Sequence, residues 1–106
     1  MSGFNKRNRE AEDRYKHDQE LEFKANARRN KLLGLWAAEQ MGISGADADA
    51  YAKEVVVSDF DRPGDDDVRE KGEADLTAKG LEISDHRVRK EMDRLKEEAR
   101  AQVRAE

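Results

Sequence analysis

The sequence predicts an all-α fold: a small four-helix bundle with a long first helix and a mobile, helix-prone N-terminal arm. Three observations carry that reading. Apolar residues recur at three- and four-residue spacing in four separate segments. Gly42, Pro63-Gly64 and Gly80 punctuate the chain between those segments. The β-branched run Val55-Val56-Val57 is too short, and too embedded in a helical pattern, to be a strand.

Composition sets the limits. The chain has 106 residues, 43% of them charged and 36% apolar, with one proline and no cysteine. That is one domain's worth of chain, with highly solvated helices and neither disulfides nor thiolate metal sites. No stretch nears the roughly 18 apolar residues of a membrane span, and the first residues lack a signal sequence's apolar middle. A cytoplasmic protein without direct membrane insertion is expected. A net charge of −4 argues against nucleic acid as a partner. The charge is uneven: residues 1–31 carry nine Lys/Arg against six Asp/Glu, while 32–80 carry five against twelve. A basic leading arm on an acidic body can fold back or be steered to a separate acidic surface.

Residues 1–18 are expected to form the arm, partly disordered when free, and 19–106 the four-helix domain. In the arm, Phe4, Ala11 and Tyr15 make a thin apolar line, and Glu10/Arg14 and Glu12/Lys16 are favourably ordered i,i+4 pairs. The segment reads either as a solvated extension of the first helix or as a detachable recognition element. The first body helix is expected near 19–41. It is amphipathic up to Lys31 and apolar all round through Leu32-Leu33-Gly34-Leu35-Trp36-Ala37-Ala38, which implies burial on most sides. Gly42 provides the left-handed stop.

The second helix, near 45–60, is expected to start at a Ser44 cap paired with Asp47 and to bury Ala48, Tyr51, Ala52, Val55, Val56 and Phe60. After an Asp61-Arg62-Pro63-Gly64 turn, Asp65, Asp66 and Asp67 suit a helix N-terminus. The third helix, near 65–79, has Val68, Gly72 and Leu76 as its inner line, with Gly72 costing about 1 kcal/mol against alanine. The fourth, near 85–104, is capped by Ser84 and stapled by Ile83 and Val88. Its stripe Val88, Met92, Leu95, Ala99 and Val103 is unbroken.

Catalytic chemistry has no foothold. His17 and His86 lie among charged residues, and no nucleophile elbow, phosphate-cradling loop or HExxH pattern occurs. The acidic run at 59–67 fails as a calcium loop because Pro63 falls on a ligand position in either register. Arg28, Arg29 and Lys31 form the one compact basic patch. It reads either as a site for weak ATP or ADP binding or as internal ion pairs to the acidic second and third helices. No cofactor is required.

The runs His17-Asp18-Gln19-Glu20-Leu21-Glu22-Phe23-Lys24 and Ala27-Arg28-Arg29-Asn30-Lys31-Leu32-Leu33-Gly34-Leu35-Trp36-Ala37-Ala38 resemble the zeta subunit, the ATPase inhibitor subunit of the alphaproteobacterial rotary ATP synthase. Ala50 to Val56, Asp59-Phe60, Pro63-Gly64-Asp65, Asp67-Val68 and Ser84-Asp85-His86 extend the likeness over nearly the whole chain. The resemblance implies a non-enzymatic inhibitor of ATP hydrolysis. Its arm would enter between catalytic subunits beside the rotor, with the alpha, beta and gamma subunits as partners and a location peripheral to the inner membrane. It makes Phe4, Arg7, Ala11, Arg14 and Tyr15 the partner-binding residues. Family members usually carry bulky apolar residues where this chain has Arg69 and Gly72, which implies a shorter or looser third helix.

Overall fold

The computed structural model describes the backbone of residues 2–59 and 65–106 and the side chains from Asp13 onward within those ranges. Four helices make up the described chain: α1 (Ser2–Gln40), α2 (Gly45–Ser58), α3 (Asp66–Ala78) and α4 (Asp85–Ala105). The first is longer than the 19–41 segment that periodicity marked, because the arm continues it in helical conformation. Phe60 and the turn expected at 61–64 lie outside the described residues.

The core forms where all four helices meet. Leu33 and Ala37 of α1, Val55 of α2, Val68 and Leu76 of α3, and Val88, Met92 and Leu95 of α4 make one buried cluster. Leu32, Trp36, Met41, Tyr51, Leu81 and Ile83 pack against its edge. The apolar run of α1 is thus enclosed from several sides, as its all-round character implied. Along their contact, Arg87 lies over the Trp36 ring and Arg100 reaches Glu22. Pairs in opposite sequence order make α1 and α4 antiparallel.

The α1–α2 crossing is closer than side-chain size alone predicts. A Cβ built on Gly34 would stand 2.7 Å from the Ala52 Cα and 3.2 Å from Val55 Cγ2. Only a glycine lets the two backbones approach this far.

The helix ends are set by local chemistry. Gly42, at φ 75°, donates to Glu39 O and Ile43 N donates to Ala38 O, the paired bonds of a Schellman stop. Gly80, at φ 79°, repeats the motif through Thr77 O, with Leu81 N donating to Leu76 O. Ser84 caps α4 by accepting from Arg87 N at 3.2 Å. The expected Ser44 cap needs correction: Ser44 holds the N-cap position of α2 but its side chain makes no capping hydrogen bond. Gly45, the first residue of α2, is left-handed at φ 62°, so the first turn lacks the regular right-handed geometry in which a cap side chain meets its N–H groups.

Helix α3 keeps the expected inner line, with Val68, Gly72 and Leu76 all buried. Arg69, on its flank, donates to Asp85 Oδ1 at 2.7 Å and pairs with Glu73 at 3.4 Å and Asp66 at 3.5 Å. A charged clamp therefore joins α3 to the start of α4.

Candidate functional site

Two parts of α1 carry the candidate residues: the leading turns and the stretch where the helix enters the bundle. Every described side chain from Asp13 to Glu20 is exposed. Arg14 and Tyr15 both stand in solvent there, Tyr15 at 64% exposure. The Tyr15 hydroxyl accepts from Gln19 Nε2 at 2.8 Å, one helical turn further on. The side chains of Phe4, Arg7 and Ala11 lie outside the described residues.

The entry into the bundle is fastened by charge. Glu22 takes Lys96 at 2.8 Å and Arg100 at 3.1 Å, both from α4. The hydrogen bonds from Arg100 and Lys96 pull its carboxyl down from 4.5 to about 2. Lys96 also donates to Asn26 Oδ1. Asp18 and Leu21 line a groove together with Val103 and Arg104, so the tip of α4 reaches this level of α1.

The basic patch is taken apart by the fold. Arg28 donates to Gln102 Oε1 at 3.0 Å and pairs with Glu106, both near the end of α4. Arg29 turns the other way and is 3% exposed. Its Nε donates to Asn30 Oδ1 at 2.9 Å and its NH2 to Asp65 Oδ1 at 2.7 Å, at the head of α3. The Arg29 guanidinium holds the Asp65 carboxyl below its ordinary value, against the opposing effect of burial. Lys31 is exposed. Internal pairing was expected with the second and third helices; Arg29 fulfils it, whereas Arg28 goes to α4. Beside Arg29 lies a cleft of about 260 Å³ where Arg69 and Arg89 alternate with Asp65, Asp66 and Asp93. Its charges largely cancel, so it has no marked preference for an anion or a cation.

Three residues escaped the sequence reading. Asn30 is 1% exposed and orients Arg29; a polar residue beside an apolar run was the available signal. Glu22 reads as one charge among many, and only the fold shows that α4 brings two cations to it. Phe23 entered the sequence reading only as part of the run that carries the family resemblance, and it is 64% exposed. Among the described residues no group of three His, Cys, Asp or Glu side chains could hold a metal.

No helix among the described residues is long and apolar enough to cross a membrane. No curated protein matches the chain. A protein whose structure was solved in solution by NMR shares 46% identity with it, at a TM-score of 0.72, over 80% of this chain and 96% of that one. The profile of the ATPase inhibitor subunit zeta family matches residues 1–102, nearly the full length. The chain belongs to the ATPase inhibitor subunit zeta family: a non-catalytic inhibitor that acts on an ATP synthase.

Proposed function

We propose that the protein blocks ATP hydrolysis by inserting residues 1–18 between catalytic subunits beside the rotor, touching the alpha, beta and gamma subunits. Phe4, Arg7, Ala11, Arg14 and Tyr15 are the contacts, and the enzyme holds the inhibitor peripheral to the inner membrane. One observation carries the reading. Helix α1 is continuous from Ser2, yet among the described residues the ion pairs that tie it to α4 begin at Glu22. Its leading 17 or so residues therefore run about 25 Å past the tip of α4 at the usual helical rise.

A preformed helix changes the energetics of insertion. Ordering about 15 free residues costs on the order of 15–30 kcal/mol of backbone entropy. Burying a phenylalanine and a tyrosine returns only roughly 2–3 kcal/mol each. A rod already nucleated by the bundle starts with much of that cost met. Charge-assisted hydrogen bonds to the partner then complete the balance.

The test is ATP hydrolysis by the isolated catalytic head of the cognate enzyme, with full-length protein against a version lacking residues 1–18. Loss of inhibition on truncation is expected, and equal inhibition by both overturns the arm reading. Weak ATP or ADP binding at Arg28, Arg29 and Lys31 is the alternative. A nucleotide there must compete with Gln102, Glu106 and Asp65 for two of the three cations. Amide shifts confined to these residues during nucleotide titration would favour it.

A further inference from the structure

We propose that Phe23 anchors a second contact on the partner that receives the arm: an apolar socket edged with carboxylates, closing over α1 where it enters the bundle. The inference rests on the arm reading and extends it beyond residue 18. Phe23 and Tyr15 are each 64% exposed on one unbroken helix. They are eight residues apart, about 12 Å along the axis and roughly 80° around it. A partner that grips the helix at Tyr15 thus meets Phe23 within a quarter turn, at a distance the helix fixes in advance. Engaging it requires little further ordering.

The bundle itself does not use this side chain. At this level α4 takes the neighbouring side of α1, where Ala25 is buried and Glu22 and Asn26 are held by Lys96 and Arg100. The charges around Phe23 are consequently unequal. Glu22 is neutralised from within, which leaves exposed Lys16 and Lys24 against Glu20. A cationic rim around an aromatic residue suits a socket bordered by carboxylates, and buried aromatics commonly dominate the energetics of such contacts. A lone exposed aromatic would need no explanation; two on one continuous helix give a partner two anchors at a set spacing.

The experiment measures inhibition of ATP hydrolysis by the isolated catalytic head, using the full chain, Phe23→Ser, Phe23→Leu and the version lacking residues 1–18. Phe23→Ser should keep the parent's melting temperature and raise the half-inhibiting concentration by about 10- to 50-fold, with Phe23→Leu recovering part of the loss. Parent-like inhibition by Phe23→Ser overturns the proposal, while loss of inhibition in the truncated version leaves the arm reading standing. Full inhibition by the truncated version alongside impaired Phe23→Ser overturns the arm and keeps the Phe23 contact. A photo-crosslinking amino acid at position 23 gives a second readout. Adducts with a subunit of the catalytic head are expected. Adducts only with a second copy of the chain would reassign the patch to self-association and overturn it.

Discussion

Along α1 the backbone is the same from end to end, but its two halves meet different surroundings. From Ala25 to Ala38 the helix buries Ala25, Leu33, Ala37 and Ala38 against its neighbours. From Asp13 to Glu20 every side chain faces solvent. The buried half draws its stability from packing, and the exposed half owes its helical form to being joined to it. Mutations in the exposed half should therefore weaken inhibition without weakening the fold.

The largest separation should come from Leu33→Ala against Tyr15→Ala. Leu33 is fully enclosed in the core cluster, so truncation should cost about 2–5 kcal/mol in chemical denaturation. Tyr15→Ala should change stability by less than about 0.5 kcal/mol, as expected for a solvent-facing site, while weakening inhibition of the catalytic head. A Tyr15→Ala protein that unfolds as easily as Leu33→Ala would erase the distinction between the halves.

Next in size are two mid-helix glycines that should answer oppositely. Gly34→Ala places a methyl 2.7 Å from the Ala52 backbone, which cannot step aside without parting α1 from α2. A net loss of about 1–3 kcal/mol is expected despite the better helix propensity of alanine. Gly72 is also buried in mid-helix, but a Cβ there meets nothing within 4 Å. Gly72→Ala should raise stability by about 0.5–1 kcal/mol, or roughly 2–8 °C in melting temperature. A rise at Gly34 or a fall at Gly72 would show that the crossing is looser, or α3 tighter, than the structure has it.

These glycines mark how far the sequence could be read. Element type followed from period and punctuation, because Gly42, Gly80 and Ser84 act through bonds to residues only a few positions away. The stripe Val88–Val103 announced its own buried face in the same way. The opposite responses of Gly34 and Gly72 to a Cβ were not legible, since what separates them is a residue from another helix, Ala52, near one and absent from the other. The basic patch shows the same limit. Arg28 and Arg29 are adjacent in sequence, yet their partners lie 78 and 36 positions away on different helices. The arm's boundary was legible only as a thinning of apolar residues; the fold adds that the tip of α4 reaches Asp18.

The smallest expected effect lies at the joint between the halves, where Glu22 is clamped by Lys96 and Arg100. Its folded value of about 2 lies below the ordinary 4.5. The clamp therefore contributes fully above pH 4.5 and is lost as pH falls from there towards 2. Glu22 is 46% exposed, so solvent screening should hold the effect to a few tenths of a kcal/mol up to about 1. Stability measured against pH for the parent and Glu22→Gln should converge at the acid end of that window and separate above it. The gap should also narrow at high salt. Because the clamp ties α1 to α4 just behind the arm, Glu22→Gln should loosen hydrogen-exchange protection near residues 18–26 while leaving that around Leu33 unchanged. Equal loosening in both places would mean that α1 opens as one unit, with no joint at Glu22.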